Sequence, residues 1–537
     1  QRGVARSPAC GLPVSFCSLR NDRTALPETM HGVQLVSHGG ANKRAYREYL
    51  PRPQRGIGEV LFWVAAAGVN KKGISWYSKS VSEDTETGGA TTMTAFGSGS
   101  TFHKSFNAPL NRPREVAIKQ ARIRRRHHLW VVILEASKGS LIMSGYTPGF
   151  GFPQDVIFDD ERARRALSNK WFFVGTRGDV PEPRNYFNFQ LFEDQYFLLH
   201  GTDGVIRCMV NRCMHQSARL LKQDTGKCAA SIICPNHQWA YNLNDGTLRN
   251  APGFGSEFPA SAEGSTRGLQ QIPVAEVSGM IFACLSDDPD YDDIENIANI
   301  IAPYTDPFAF EKGGYKLAHH HREVIDANWL MVMINNRECC HCTNNHKGLT
   351  KLFDPSSFNG AQTPAYKELF DRAVQRWEGL GLAWEEKAFT LNDSARVARY
   401  PMYENYKSIT FDGEPASKKL IGPFADYDPS TLSMWFNPNA WIHFTSDHIA
   451  TNWVLPLGPE KCALYSSWIV RDDAVEGKDY DVEHLTDVWK VTNAEDVGLC
   501  MSMTSGAKSA HYRPGPFAPD EQHCKQFCDW YMRHSAF

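Results

Sequence analysis

Cys213-Met214-His215, followed after eighteen residues by Cys234-Pro235-Asn236-His237, is the stretch that decides the fold. Two thiolates and two imidazoles arrive as two short loop pairs, and each pair mixes Cys with His. A [2Fe–2S] cluster of the mixed-ligand kind needs this set, with two Cys on one iron and two His on the other; the neutral imidazoles raise its potential relative to an all-Cys cluster. A Cys2His2 zinc site is the competing reading, but zinc fingers usually keep both Cys in one pair and both His in the other. Gln238-Trp239 and the Asp245-Gly246 turn downstream suit two β-loops clasping a cluster.

A chain of 537 residues has room for two or three domains with sizeable cores. The net charge of −3 gives no signal for nucleic acid or an anionic membrane. Fourteen Cys could form a disulfide framework, yet the spacing is irregular and two are committed to the cluster, so a reducing compartment, the cytoplasm, is expected. Glu59 to Val69 is the longest apolar run and is too short to span a bilayer, so a buried strand or helix is expected there and no membrane span.

Residues 1–144 read as a separate N-terminal extension, partly disordered. Residues 1–60 are rich in Arg, Lys, Ser and Gly and poor in acids, the composition of an organelle transit peptide or a disordered tail. Gly88 to Phe106 reads as a flexible linker, and Lys119 to His128 as a basic run on a solvated face. From residue 145 the pattern is globular. Asp159 to Asn169 suggests a short helix with acids at its N-terminus. Trp171 to Gly175 and Tyr186 to His200 read as strands, with a turn at Gly201–Gly204, and short strands continue to Leu285. Acidic Asp287 to Glu295 is a plausible junction, dividing 145–290 from 291–537. Beyond it, Pro364 to Gly379 and Val482 to Met503 read as helices and Trp441 to Val470 as strands. The fold class expected is α+β.

A second constellation lies at Glu338-Cys339-Cys340-His341-Cys342-Thr343-Asn344-Asn345-His346. Two His five apart can meet at one metal if the helix is distorted or ends between them. Two His and one carboxylate on one face of Fe(II) leave positions open for O2 and substrate. Alone, the pair reads equally as a satisfied core His and a surface His. An iron–sulfur carrier upstream needs an acceptor, and a mononuclear iron fits.

These residues resemble the catalytic α subunits of Rieske non-haem iron oxygenases, and within them the glycine betaine monooxygenase and stachydrine demethylase group. Glu338-Cys-Cys-His341-Cys342 is similar to that group's ECYHC. Further matching strings are Ser408–Gly413, Ser446-Asp447-His448, Leu455–Pro459, Asp473–Gly477, Thr492-Asn493, Tyr512–Pro516 and Phe527–Tyr531. The match runs over about residues 145–537. It implies a β-rich Rieske [2Fe–2S] domain beside a catalytic domain with an antiparallel β-sheet and covering helices. Cys213, His215, Cys234 and His237 would hold one cluster per subunit. His341, His346 and Asp496 would hold one mononuclear Fe(II), with Glu495 the competing carboxylate. Glu338 would bridge the two metal sites, accepting from an iron-ligand His and from a cluster His of a neighbouring subunit. A head-to-tail homotrimer is the implied assembly.

The reaction the resemblance implies is O2-dependent hydroxylation of an N-methyl carbon, with two electrons from a separate flavin and iron–sulfur reductase. The hydroxymethyl product collapses to formaldehyde and a demethylated amine; for glycine betaine that is dimethylglycine. A quaternary ammonium needs aromatic faces and its carboxylate a cation. Trp435, Phe436, Trp441 and Phe444 are candidates for those faces. Departures from the family pattern are Met214, Gln216 and Ser217 around His215, Asn236, Leu330, Ile334 for an expected Glu, and Cys340 for Tyr. Other substrates (stachydrine, choline, carnitine or an aromatic ring) and a non-catalytic iron–sulfur carrier are the alternatives.

Overall fold

A computed structural model describes residues 145–254, 268–354, 357, 363–389 and 394–535 in full, and seven strands between Thr29 and Ala136 by their backbone alone. The chain forms two compact units, Gln1–Met143 and Ser144–Ala536. In the first, an antiparallel sheet runs in the order Arg44–Pro51, Thr29–Leu35, Ile118–Arg126, Leu129–Ala136, Glu59–Val64. The apolar run therefore opens as a strand, and the basic run lies mostly on one. The leader-like residues 1–28 and most of the Gly88–Phe106 stretch lie outside the described residues.

In the second unit, helix Asp160–Asn169 starts where its acids predict, because the Asp159 side chain accepts from the Arg162 N–H at 2.9 Å. Strands Asn185–Leu191 and Asp194–His200 form a hairpin. They centre an antiparallel sheet with Thr225–Lys227 on one side and Ile206–Val210 and Gln271–Ile272 on the other. A small three-stranded sheet, Ile232–Ile233, Ala240–Tyr241 and Leu248–Asn250, carries the second Cys–His loop.

The acids of Asp287–Glu295 belong to a helix start. Asp290 caps helix Tyr291–Thr305 by accepting from the Asp292 N–H, and Asp292 and Asp293 sit in the first turn, where the helix dipole favours negative charge. Downstream, six antiparallel strands form one sheet: Tyr315–Ile325, Lys461–Arg471, Ile449–Gly458, Ala440–Phe444, Ser430–Phe436 and Ala395–Pro401. Helix Val482–Ala507 lies on it, and its Asn493 side chain donates to Asn452 Oδ1 at 3.0 Å.

Aromatic residues join the hairpin to the catalytic sheet. Trp453 stacks on Tyr465 with centroids 4.1 Å apart and meets Phe173, Phe187 and Phe189 across the contact. The Gln190 N–H donates to the Tyr465 hydroxyl at 2.8 Å. Burying each such ring stabilises the contact by about 1.5–3 kcal/mol. Helix Trp329–Asn336, which leads to the iron motif, is anchored by buried Asn328. The Asn328 oxygen accepts from the Leu330 N–H, and its amide donates to the carbonyls of Ile157 and Pro459, both at 2.7 Å.

Candidate functional site

The two cluster loops close in the same way. Cys213 N–H donates to the Ala218 carbonyl and Ser217 N–H returns to the Cys213 carbonyl; Cys234 N–H donates to Trp239 and Gln238 N–H returns to Cys234. The closing residues Ser217 and Gln238 both adopt φ of +59°, in the left-handed region. Each loop thereby curls its Cys and His toward a shared point. The thiols of Cys213 and Cys234 are buried, and Tyr241 Oη lies 3.1 Å from Cys213 Sγ.

The His215 and His237 rings lie 4.6 Å apart, and His215 stacks on Trp239 at 4.7 Å. His215 Nδ1 is buried with no hydrogen-bond partner, a position a metal would satisfy. A tetrahedral zinc would draw all four donors within about 4 Å of one another. Among the described residues, His341, Cys342 and His346 bring ligand atoms within 4.8 Å of one another. One Cys and one His from each loop is the donor set that suits the two irons of a [2Fe–2S] cluster.

The second centre forms where helix Trp329–Asn336 has ended. His341 and His346 flank the single turn Cys342–Asn345, which swings both rings onto the same point. Their Nε2 atoms are 3.1 Å apart. Asp496 Oδ1, from the long helix, lies 3.1 Å from one and 3.2 Å from the other. Three donors with edges near 3.1 Å outline one face of an octahedron whose centre is about 2.2 Å from each, a distance suited to a first-row metal with three further positions open.

Both imidazoles are fixed from behind. Glu338 Oε1 accepts from His341 Nδ1 at 2.5 Å, and Glu495 Oε2 accepts from His346 Nδ1 at 2.7 Å. Asp496 thus points at the shared site, while Glu495 orients a ring. Burial opposes charge on His341, but Asp496 and Glu338 override it and raise its pKa to about 10. The same two imidazoles outweigh burial and hold Asp496 below the ordinary carboxylate range. Cys342, which the sequence did not single out, brings Sγ to 3.9 Å from His341 Nε2. A hydrogen bond to Cys339 and burial raise its thiol pKa.

Two family descriptions match the chain: "Rieske [2Fe-2S] domain" over residues 170–273 and "Ring hydroxylating alpha subunit (catalytic domain)" over 313–536. The glycine betaine monooxygenase oxygenase subunit of Chromohalobacter salexigens is 34% identical over 374 residues, covering 68% of this chain and 81% of that protein. The chain belongs to the Rieske oxygenase α subunits. It is a terminal oxygenase component; its Rieske domain implies a [2Fe–2S] cluster and its catalytic domain a mononuclear iron. The corresponding subunit of Pseudomonas aeruginosa UCBPP-PA14 is 31% identical over 391 residues, 71% of this Rieske oxygenase and 88% of its own length. A crystal structure of the quaternary ammonium Rieske monooxygenase CntA with L-carnitine superposes with a TM-score of 0.54 at 16% identity, covering 73% of this chain and 97% of that one. At that identity the likeness shows the shared fold. No described helix of this Rieske oxygenase is long and apolar enough to cross a membrane.

Above the triad lies a cavity of about 400 Å³. The sheet makes its floor through alternate residues: Arg396, Ala398 and Tyr400 pair across strands with Trp435, Ser433 and Thr431, and Trp435 and Ser433 pair in turn with Trp441 and His443. One face of the long helix, Trp489, Thr492, Asn493 and Asp496, forms another wall at i, i+3, i+4 and i+7 spacing. His443 stacks on Trp489 with centroids 4.4 Å apart.

Of the four aromatic candidates, Trp435 and Trp441 line this cavity. Phe436 and Phe444 do not: strand alternation turns them into the core, where Phe436 packs on Phe173 and Phe282, and Phe444 on Phe308 and Phe310. Ile334 is buried beneath the site, and its carbonyl accepts from Cys524 Sγ at 3.3 Å, so no polar side chain stands where Glu was expected.

Proposed function

We propose that this Rieske oxygenase N-demethylates a methylated amine, with glycine betaine going to dimethylglycine and formaldehyde. The observation that carries this reading is the convergence of His341, His346 and Asp496 beneath a Trp-lined cavity. Support comes from relatives named as glycine betaine monooxygenase oxygenase subunits, which align over most of their length. A decayed carrier would not keep all three ligands and both orienting carboxylates.

Each part of the chain has a task. Cys213, His215, Cys234 and His237 hold the cluster; His341, His346 and Asp496 hold the iron. Bound there, the iron and the cluster together supply O2 activation and one-electron transfer. Glu338 and Glu495 fix the two imidazoles in the tautomer that leaves Nε2 free for metal. Glu338 also stands ready to accept from a cluster His of a neighbouring subunit in a homotrimer, and a flavin and iron–sulfur reductase delivers the electrons. Trp441 and Trp489 offer π-faces to a quaternary ammonium, which has no N–H to donate. The cavity holds the methyl group against the metal face. The sum balances: betaine, O2, two electrons and two protons give dimethylglycine, formaldehyde and water.

The test is iron content and turnover of anaerobically purified protein with a surrogate reductase. About three irons per chain and betaine-dependent formaldehyde are expected. Three irons with formaldehyde only from choline, carnitine or stachydrine would replace the substrate. Two irons after Fe(II) loading would overturn the oxygenase role of the second centre.

A further inference from the structure

The cavity is electrically lopsided. Asp496 and Glu338 stand at its metal end, and its lining also includes Arg337, Arg396 and Arg399 with the acids Glu386 and Asp520. Two of these guanidiniums share one ring: Arg396 Cζ lies 4.3 Å and Arg337 Cζ 5.3 Å from the Trp435 centroid. Arg337 hydrogen-bonds only neutral acceptors, Asn336, the Phe436 carbonyl and Asn437. Burial, with Arg396 beside it, pulls its pKa down to about 9. His523, edge-on to Trp435 at 5.1 Å, is kept neutral by burial and the same two Arg. Among the described residues, Glu386 is the carboxylate ion-paired with this pair, accepting from Arg396 Nε at 2.7 Å. Among them Arg337 is left with no acidic partner, a buried charge that is unfavourable until an anion meets it.

Arg396 is the member built to receive that anion. It is almost fully buried, yet it lines the cavity from the floor strand. Glu386 and the Tyr400 hydroxyl fix Nε and Nη2, which locks the fork in place. Among the described residues Nη1 has no partner. A buried, oriented guanidinium N–H with nothing to bond is a donor awaiting a ligand.

We propose that Arg396 anchors the carboxylate of a zwitterionic substrate, so that the basic wall and the acidic metal end together orient the molecule with its N-methyl groups toward the iron. This rests on the reading that the cavity takes a methylated amine. It goes further in naming what selects among such amines: a ligand with a carboxylate a short chain from the ammonium fits both ends, whereas an amino alcohol leaves the basic wall unpaired. Electrostatic orientation then sets which carbon is attacked.

Binding to the iron-loaded holoenzyme, measured by calorimetry, tests the anchor apart from turnover. Two matched pairs are compared: glycine betaine against choline, and tert-butylacetate against tert-butylethanol, which have the same shapes without the ammonium. In each pair the carboxylate should bind about 10- to 100-fold tighter. Arg396→Gln should bring both ratios to within about threefold while the cluster absorbance stays unchanged. Equal affinity in the unaltered protein, or ratios preserved in the variant, overturns the proposal. If Arg396→Gln does not fold, Arg396→Lys serves: it keeps the charge and loses the fork, so reduced ratios support the anchor and unreduced ratios overturn it. Formaldehyde from choline with no carboxylate preference leaves demethylation standing and removes the anchor. Carboxylate preference without formaldehyde from any methylated amine keeps the anchor and removes the demethylation.

Discussion

Glu495 and Asp496 are neighbours on one helix, and exchanging their roles would exchange two very different mutational outcomes. Glu495→Gln should weaken Fe(II) binding roughly three- to fourfold. The Glu495 carboxylate accepts from His346 Nδ1 at 2.7 Å, a charge-assisted bond whose net value is about 1.5–3 kcal/mol. Its side chain is 36% exposed, so water competes and the lower end of that range applies. The Gln oxygen still accepts from the ring, retaining about half, so the loss is about 0.75 kcal/mol, roughly three- to fourfold in affinity. Asp496→Ala removes a donor 3.1 and 3.2 Å from the two Nε2 atoms and should leave no measurable iron at the second site. Anaerobic competition of Fe(II) against a chromophoric chelator measures both, with cluster absorbance as the internal count of protein. If Glu495→Gln empties the site while Asp496→Ala retains iron, the ligand assignment is reversed. Equal losses would refute the division into ligand and orienting residue.

Three other outcomes follow from the same contacts. Ser217→Gly should stabilise the first cluster loop by roughly 0.5–1 kcal/mol, because Ser217 holds a φ of +59° that costs a side-chain-bearing residue and not glycine; denaturant unfolding followed by cluster absorbance reads it, and a loss of stability would contradict the loop geometry. Asn328→Ala should cost about 3 kcal/mol, since it removes a helix cap and strands two carbonyls, and chemical denaturation of the variant checks it. Acid should destabilise the fold through His320 and His534. Burial presses both pKa values down to about 3, and each ring leaves Nε2 buried without a partner. Their neutral forms contribute stability that is complete above about pH 6.5 and is lost as pH falls toward 3, at up to about 1.4 kcal/mol per pH unit for each ring. His320→Gln should flatten the measured slope of stability against pH below 6.5, and an unchanged slope would count against the buried neutral ring.

What the sequence made legible follows from how local each signal is. The cluster loops are written in adjacent residues, and the helix that begins at Asp160 is written in its cap. His341 and His346 were readable because a single broken turn separates them. The choice between Asp496 and Glu495 was not, since only the crossing of two distant segments decides which carboxylate faces the rings. The aromatic wall was half legible. Strand alternation predicts that Trp435 and Trp441 face one way and Phe436 and Phe444 the other, because the residues of each sheet face repeat every second position. Grouping neighbours by aromatic character missed that parity. The i, i+3, i+4, i+7 row from Trp489 to Asp496 was likewise visible as a helix face. Arg396 carried no local mark, because its meaning comes from an N–H left unpaired in three dimensions. The acids at Asp287–Glu295, read as a junction, lie between the two family matches and begin a helix there.

The metal end of the cavity and its sheet floor come from different parts of the chain. Every residue that converges on the iron point comes from the segment Glu338–His346 or from the long helix, while the opposing surface comes from three neighbouring strands. Chemistry and selectivity therefore reside on separately mutable scaffolding. A substitution at 396, 398, 433 or 441 redraws the outline a substrate must match and leaves the redox machinery intact. A lineage holding this arrangement can drift from one amine to another without passing through an inactive ancestor, and a designer can follow the same route, treating the strands as an exchangeable mould beneath a fixed reaction head.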